Sequence, residues 1–277
     1  MTDSCLNDRT ENLNSTENLS GIDLDANTEI DACANSTNSA NEQGLEESNT
    51  QNPKHRPIKS FVVRSGRMTQ GQQNSWDDFW PKMGLELDTA PKDCRTAFEK
   101  QQALVLEIGF GMGASLCDMA KNAPEENFIG IEVHRPGVGA LLMKAGEFGL
   151  DNLKAFCADA NEVLKDCIAE ESVRRLQLYF PDPWHKTKHN KRRLVQDAFV
   201  QKIRPKLEIG GVFHMATDWE TYAKHMMKVM EATEGFKNVS GAGNYAERPE
   251  YRPLTKFEVR GQNLGHGVWD LLYERIS

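Results

Sequence analysis

An aspartate held between two prolines begins the most unusual stretch of the chain, PDPWHKTKHNKRR at residues 181–193. Pro181 fixes its own φ angle, and Pro183 restricts the residue before it to extended conformations, so Asp182 has few orientations available. A carboxylate held this rigidly is suited to clamp a ligand in one pose. Trp184 follows at once and offers a flat surface on which a ring can stack.

Positive charge is concentrated directly after this aspartate. The basic and histidine side chains of the stretch are Lys186, Lys188, Lys191, Arg192, Arg193, His185 and His189. A basic run is often only a solvated surface, but its place beside a candidate ligand site favours binding to phosphates. A second basic segment, residues 58–73 with Lys59, Arg64 and Arg67, offers further contacts to a nucleic-acid backbone. The two histidines lack an evident third ligand, so we expect no metal site.

A glycine-rich turn, GFGMG at residues 109–113, follows the apolar run ALVLEI. Gly109, Gly111 and Gly113 allow a tight turn from strand to helix and let a ligand approach the backbone. Glu132 follows Gly109 by 23 residues, at the end of the next apolar run. An acidic side chain there can accept hydrogen bonds from both hydroxyls of an adenosine ribose. The combination predicts an adenosine-containing cofactor.

NAD and S-adenosylmethionine both fit this pattern, and two features favour S-adenosylmethionine. Glu107 lies just before the glycines, where a carboxylate suits a cationic sulfonium and amino group but would repel a pyrophosphate. A hydride-transfer enzyme also usually carries a substrate domain, and too little chain follows Asp218 to form one. We therefore expect S-adenosylmethionine, with Asp159 accepting a hydrogen bond from the adenine amino group.

The elements that position these residues follow from the hydrophobic pattern. Short apolar runs alternate with segments of helical period, and the predicted strands are 103–108, 128–133, 153–159, 175–180, 211–218 and 267–276. Strands separated by helices of this length need right-handed crossovers and form a parallel sheet covered on both faces. We therefore predict a doubly wound α/β fold, with the last strand antiparallel at an edge.

Five acidic residues lie at or just after the carboxyl ends of five successive predicted strands: Glu107, Glu132, Asp159, Asp182 and Asp218. In an open parallel sheet these ends share one edge, and ligands bind in the crevice there. Any one of the five could instead cap a helix or pair with a nearby cation. Their shared position predicts that they converge on one crevice.

Composition separates the first part of the chain from the rest. Residues 1–53 hold eleven Asp and Glu against Arg9 alone, a net charge of −10 in a chain of net −8, and no Phe, Trp or Tyr. We predict a disordered acidic Asn- and Ser-rich tail over 1–57 and a folded domain over 58–277. The six cysteines form no CxxC pair, which favours reduced, buried thiols.

The compartment is predicted from what the chain lacks. No apolar run approaches the ~20 residues that a membrane span needs. The N-terminus carries acids and no apolar stretch, so a secretory signal is not predicted. We expect a cytoplasmic protein, a monomer or a weak homodimer.

The combination of motifs resembles the bacterial tRNA (guanine-N7-)-methyltransferases. The match runs from about residue 58 to the C-terminus and includes RSGRMTQGQQ, LEIGFGMG, GIEVH, FPDPWHKTKHNKRR, MATDW, TKFE and LGHGVWD. The resemblance implies a Rossmann-like class I methyltransferase fold with a mostly parallel seven-stranded sheet. It also implies methyl transfer from S-adenosyl-L-methionine to N7 of a guanosine in the variable loop of tRNA.

Carried onto this chain, the resemblance assigns roles to individual residues. The residues implied to bind S-adenosylmethionine are Glu107, Glu132, Asp159 and Asp182, and Asp182 is also implied to be catalytic. Substrate contact is implied for Lys186, Asp218, Thr255, Lys256, Phe257 and Glu258. RNA contact is implied for Lys188, His189, Asn190, Lys191, Arg192 and Arg193.

The chemistry of guanine N7 suggests what Asp182 does. N7 already exposes a lone pair, so no general base is required, and methylation creates a positively charged ring that a carboxylate can stabilise. We expect Asp182 to orient guanine through its ring N–H and exocyclic amine, with the base splayed out of its loop and stacked on Trp184.

Three other functions remain open at this stage. A methyltransferase for another nitrogen, such as an exocyclic amine of RNA, DNA or protein, uses the same cofactor and a similar clamp. A nucleic-acid-binding module without turnover would have lost its glycine loop, whereas GFGMG is intact here. A nicotinamide-dependent dehydrogenase shares the glycine turn.

Overall fold

One mixed sheet organises the computed structural model, which describes residues 66–255, 258–259 and 267–277. Its strands are β1 Gly84–Leu85, β2 Ala103–Ile108, β3 Glu126–Glu132, β4 Leu153–Cys157, β5 Val173–Tyr179, β6 Leu207–Thr217, β7 Phe236–Asn238 and β8 Trp269–Arg275. They lie in the order β1-β4-β3-β2-β5-β6-β8-β7. Strands β1 to β6 pair in parallel, and β8 pairs antiparallel with both β6 and β7.

Strand β2 is the point where the winding of the sheet reverses. From β2 the chain proceeds outward through β3 and β4 on one side and through β5 and β6 on the other. Loops that leave adjacent strands in opposite directions open a crevice at their carboxyl ends. The topology therefore places one ligand crevice beside the end of β2, between β3 and β5.

Helices cover both faces of the sheet. They are α1 Gln70–Met83, α2 Ala114–Asn122, α3 Arg135–Phe148, α4 Ala160–Asp166, α5 Asp197–Ile203 and α6 Glu220–Glu231. Helices α1, α2 and α3 contribute to one hydrophobic core and α4, α5 and α6 to the other. Because both faces are covered, the central strands are apolar along most of their length; every residue of β2 after Ala103 is buried.

The predicted fold class is confirmed. β2 has the predicted bounds, and α3 begins beside Pro136 and ends at Gly149, whose φ of 63° suits the left-handed conformation that closes a helix. The sheet has eight strands in the described residues, one more than the seven implied by the resemblance. The terminal strand β8 is antiparallel as predicted, but it lies inside the sheet between β6 and β7.

Helix α1 was not predicted, although its sequence carries a clear start signal. Thr69 accepts a hydrogen bond from the backbone N–H of Gln72, whose side chain in turn accepts from the backbone N–H of Thr69, which forms a reciprocal capping box. Trp76, Phe79 and Met83 then recur at helical spacing, and α1 packs against α3.

Some predictions fall outside the described residues. The predicted tail 1–57 does so entirely, as do Lys59 and Arg64, so the proposed domain boundary stays a prediction. In the part of the chain that is described, no helix is long and apolar enough to cross a membrane.

Candidate functional site

A cavity of about 500 Å³ opens at the carboxyl ends of β2, β3, β4 and β5. Its size falls within the range of small-molecule sites, roughly 300–1,000 Å³. The polar side chains in its wall are Glu132, His134, Asp159, Asn161 and Asp182, and the apolar ones include Ile108, Ile131, Val133 and Leu178. The apolar surface suits a flat ring, and the carboxylates suit hydroxyl, amino and cationic groups.

The glycine loop leaves its backbone open to a ligand. Gly109, Gly111 and Gly113 have φ angles of 76°, 60° and 73°, which L side chains rarely adopt. A Cβ added at Gly109 or Gly111 would meet no atom within 4 Å, so these two backbones face open space. Gly113 differs, because a Cβ there would lie 2.5 Å from Cβ of Leu141. Gly109 and Gly111 therefore leave room for a ligand at the backbone, whereas Gly113 leaves room for the close packing of α3.

Glu132 ties the glycine loop to the end of β3. Its Oε2 accepts a hydrogen bond from the N–H of Gly111 at 3.0 Å, and its Oε1 accepts from the N–H groups of Val133 and His134 at 2.7 and 2.9 Å. Three backbone donors therefore fix the carboxylate in one orientation. Each carboxylate oxygen can accept more than one hydrogen bond, so both still offer acceptor capacity to a ribose.

Glu107, near the carboxyl end of β2, is only 3% exposed and is not among the residues that line the cavity. Burial, and then the nearby charge of Glu132, raises the pKa of Glu107 to about 8. Its Oε2 has no hydrogen-bond partner among the described residues. A buried polar atom without a partner is costly, so Oε2 is available for a hydrogen bond that the described residues do not supply.

Asp159 caps the first turn of α4 at the cavity wall. Its Oδ1 accepts hydrogen bonds from the backbone N–H and the side-chain amide of Asn161 at 2.9 and 3.2 Å. Helix capping was the alternative role considered for the five acidic residues, and Asp159 does cap a helix. The capping bonds hold the carboxyl group in the wall of the cavity, so the two roles are compatible.

Asp182 is held by backbone constraints on both sides. Phe180 and Trp184 have φ angles of 49° and 50°, in the left-handed region that non-glycine residues seldom occupy. Such conformations cost about 1–3 kcal/mol each and concentrate at functional sites. The Nε of Arg193 also donates a hydrogen bond to the carbonyl of Pro183 at 2.9 Å. The side chain of Asp182 itself is exposed and lines the cavity.

The five acids share one edge of the sheet but do not all reach one cavity. Glu132, Asp159 and Asp182 line it. Glu107 is buried, Asp218 is exposed just beyond β6, and neither is among the lining residues. Of the five carboxyl groups predicted to converge, three line this cavity, and Glu107 and Asp218 do not. Asp218 follows β6, which is one strand further from the switch point than β5.

The basic run forms a short 3-10 helix, Thr187–Arg192, next to Asp182. Lys186, Lys188 and Lys191 are exposed, and His189, Asn190 and Arg192 are partly exposed. Partial burial and the surrounding lysine and arginine charges lower the pKa of His189. This surface concentrates positive charge beside the open cavity, as phosphate binding requires.

Arg193 does not belong to that surface. It is only 6% exposed, its guanidinium lies 4.8 Å from the ring centre of Tyr222, and its Nε bonds to Pro183. The side chain of Arg193 therefore points inward and supports the Asp182 loop, and its implied RNA contact stays a prediction.

Two tryptophans lie near Asp182 in different surroundings. The guanidinium of Arg192 covers the ring of Trp184 at 4.1 Å, and His189 meets the same ring edge-on at 6.0 Å between centroids. Trp219, just after β6, meets the ring of His185 at 4.2 Å and is 37% exposed. The tryptophan predicted to stack on a base is thus already covered on one side.

The C-terminal segment implied to contact substrate is anchored by its last residue. Glu258 is 2% exposed and pairs with Arg252 at 2.7 Å, where both side chains are 1% exposed. Its Oε2 also accepts from the N–H of Thr255, and its own N–H bonds to Thr255 Oγ1. Glu258 is therefore buried and paired with Arg252, and its implied contact with substrate stays a prediction. Lys256 and Phe257 lie outside the described residues.

A buried polar network behind Asp182 was not predicted. His214 Nε2 bonds to Asp270 Oδ1 at 2.8 Å, and Nδ1 lies 2.9 and 3.0 Å from the hydroxyls of Tyr179 and Tyr251. Arg252 binds both oxygens of Asp270. Burial lowers the pKa of His214 despite its bond to Asp270. The network joins β5, β6 and β8 to the C-terminal segment. The residues of this network come from separate parts of the chain, so no local sequence motif predicts it.

The residues of the cavity fit S-adenosylmethionine. The backbones of two glycines face open space, a fixed carboxylate lies at the end of β3, and the buried Oε2 of Glu107 lacks a donor. A ligand that carries ribose hydroxyls and a cationic amino group supplies donors to both carboxylates. Elsewhere in the described ranges, no group of three His, Cys, Asp or Glu side chains is arranged to hold a metal ion.

Comparison with known proteins identifies relatives over most of the chain. Residues 101–271 match a family model described as "Putative methyltransferase". The chain is 60% identical over 222 residues to the tRNA (guanine-N(7)-)-methyltransferase of Aeromonas hydrophila subsp. hydrophila, which covers 80% of this chain and 94% of that protein. It is 59% identical over 233 residues to the tRNA (guanine-N(7)-)-methyltransferase of Pseudoalteromonas translucida, covering 84% of this chain and 97% of that protein.

Proposed function

We propose a mechanism for this chain from its membership of a known enzyme family, since the chain belongs to the tRNA (guanine-N(7)-)-methyltransferases. It is an enzyme that transfers a methyl group from S-adenosyl-L-methionine to N7 of a guanine in tRNA. Membership of this enzyme family removes the dehydrogenase and the inactive binding module from the functions considered above. We place the target guanosine in the variable loop, as the resemblance of the sequence implies.

The carboxyl groups of Glu107, Glu132, Asp159 and Asp182 and the glycine loop hold the cofactor in this proposal. Glu132 accepts from the ribose hydroxyls, because its two oxygens are already fixed by backbone donors at the cavity edge. Asp159 faces the adenine amino group from the end of β4. Glu107 offers its unpartnered Oε2 to the cationic amino acid end. The open backbones of Gly109 and Gly111 allow close approach of the cofactor.

Asp182 is the residue proposed to act on the guanine. When bound, S-adenosylmethionine supplies an electrophilic methyl group on a cationic sulfur. The carboxylate of Asp182 accepts hydrogen bonds from the ring N–H and the exocyclic amine, which orients the base with N7 toward the cofactor. As N7 becomes cationic, the same carboxylate stabilises the developing charge.

No proton has to leave N7 before methyl transfer, so the chain needs no general base at this atom. The main contribution of the protein is to hold the nucleophile and the methyl group in line at roughly 3–3.5 Å. The constrained backbone at Phe180 and Trp184 and the hydrogen bond from Arg193 serve this purpose, because they restrict the positions that Asp182 can take.

The tRNA backbone is proposed to bind on the basic surface beside the cavity. Lys188, His189, Asn190, Lys191 and Arg192 present this surface next to the Asp182 loop. Lys186 and Asp218, which are both exposed, are proposed to contact the target nucleotide, and Thr255 is proposed to contact it from the C-terminal segment.

The observation that carries the proposal is the position of a rigid carboxylate between a cofactor-shaped cavity and a basic surface. Methyl transfer from labelled S-adenosylmethionine to unmodified tRNA, followed by digestion and nucleoside identification, tests it. Label in 7-methylguanosine is the expected result. Label in N²-methylguanosine or another nucleoside would overturn the substrate assignment while leaving the cofactor assignment intact.

A further inference from the structure

The target base must enter from the β6 side of Asp182. Loops after β2, β3 and β4 line the cofactor cavity, and Asp182 closes it on the β5 side. The next strand along the sheet edge is β6, whose carboxyl end is outside that cavity. A base that approaches the methyl group beside Asp182 therefore passes the end of β6.

Trp219 lies just after the carboxyl end of β6. Tyr179 of β5 lies opposite Ala216 of β6, and the N–H of Phe180 bonds to the carbonyl of Ala216 at 2.8 Å. Asp182 and Trp219 each follow three residues after these paired positions. Both residues therefore follow adjacent strands at the same edge of the sheet, and His185, three residues after Asp182, contacts Trp219.

The backbone of Trp219 is fixed by its surroundings. Its N–H donates to Thr217 Oγ1 at 3.2 Å, and its carbonyl accepts from the N–H groups of Tyr222 and Ala223 at 2.8 and 2.9 Å at the start of α6. The side chain remains 37% exposed. A large aromatic ring held on a rigid backbone and left open to solvent loses little entropy when a planar ligand covers it.

His185 completes an aromatic corner with Trp219. The two ring centroids are 4.2 Å apart and the planes meet at 73°. A planar base stacked on one ring of such a pair presents its edge to the other. Since His185 belongs to the same loop as Asp182, the corner connects the β6 edge directly to the carboxylate clamp.

We propose that the corner of Trp219 and His185 is the stacking site for the target guanine. Trp219 contacts the face of the base, and His185 bounds its edge while Asp182 binds the hydrogen-bonding side. This assignment rests on the proposed function and replaces Trp184 as the stacking residue. Trp184 instead packs with Arg192 and His189 and shapes the basic surface.

The test uses tRNA that carries 6-methylisoxanthopterin at the target nucleotide. This fluorescent guanine analogue keeps the ring N–H and the exocyclic amine that Asp182 is proposed to bind, and its fluorescence rises on flipping and is quenched by stacking on an indole. With wild-type protein and S-adenosylmethionine we expect a quenched signal. Trp219→Leu should give a brighter complex and lower kcat/KM on normal tRNA by about 10- to 100-fold, the effect of losing one base–aromatic stack. Trp219→Phe, which keeps an aromatic face, should restore most of kcat/KM.

Two controls separate stacking from general damage. Glu220→Gln changes the next residue, an exposed partner of Lys224, and should leave the quench and kcat/KM unchanged. Trp184→Leu should lower activity without relieving the quench. If Trp184→Leu relieves the quench and Trp219→Leu does not, the inference is overturned and Trp184 is the stacking residue. If wild type methylates no guanosine in normal tRNA, the proposed function fails instead.

Discussion

Replacing Glu107 by glutamine should make the cofactor-free protein more stable at alkaline pH, although it weakens cofactor binding. Glu107 is buried, lacks a partner for Oε2, and has a pKa raised to about 8. The folded chain therefore keeps its proton over a pH range in which the unfolded chain releases it. The free energy of unfolding of the wild-type protein therefore falls as the pH rises through that range. Glutamine keeps the shape of the glutamate side chain but has no ionisable group, so the stability of the variant lacks this pH dependence.

The pKa difference sets an upper limit on the size of this effect. From 4.5 to about 8, at about 1.4 kcal/mol per pKa unit, it amounts to roughly 5 kcal/mol. Below pH 4.5 Glu107 carries its proton in both states and contributes no pH dependence. Between about pH 5.5 and about pH 8.5 the advantage of the Glu107→Gln variant should grow by roughly 3 kcal/mol. For a domain of this size that corresponds to roughly 6–12 °C in Tm.

Thermal unfolding of both proteins at several pH values, without cofactor, measures the effect. Glu125→Gln is the matched control, because Glu125 is exposed and its replacement should follow the wild-type pH profile. A Tm difference between Glu107→Gln and wild type that stays constant from acid to alkaline pH would refute the reasoning. Isothermal titration should show weaker S-adenosylmethionine binding by the Glu107→Gln variant at every pH.

Three further outcomes follow from the site. Arg193→Gln should lower kcat about 10- to 100-fold, because Asp182 loses the support of the Pro183 hydrogen bond, and should leave the salt dependence of tRNA binding unchanged. Lys188→Ala and Lys191→Ala should each reduce the slope of log K against log salt by about 1 in filter binding, with cofactor affinity unchanged. Arg252→Met should lower the free energy of unfolding by about 3–5 kcal/mol in urea titration, because it leaves the buried carboxylates of the network uncompensated.

The parts of the structure that follow local rules were predictable. The glycine turn and the strand ends place Glu132, Asp159 and Asp182 at one cavity, because strand polarity and register follow from the alternation of strands and helices. Helix α1 was predictable in principle from its Thr69 and Gln72 capping box, since both partners lie within one turn.

The parts that depend on contacts between distant segments were not predictable. Arg193 looks like one more cation of the basic run, and only the packing of Tyr222 from α6 shows that it points inward. Glu258 looks like an exposed acid until Arg252 is seen beside it. Pairing β8 between β6 and β7 likewise depends on the end of the chain returning to the sheet.

The central claim is that the carboxylate of Asp182 stabilises the guanine as N7 is methylated. The most direct measurement is the single-turnover rate of methyl transfer to unmodified tRNA by wild type and Asp182→Asn, with S-adenosylmethionine saturating for each protein. Asparagine keeps the size and much of the hydrogen bonding but removes the charge, so the rate should fall about 10²- to 10³-fold. An Asp182→Asn variant with the full wild-type rate would contradict the account.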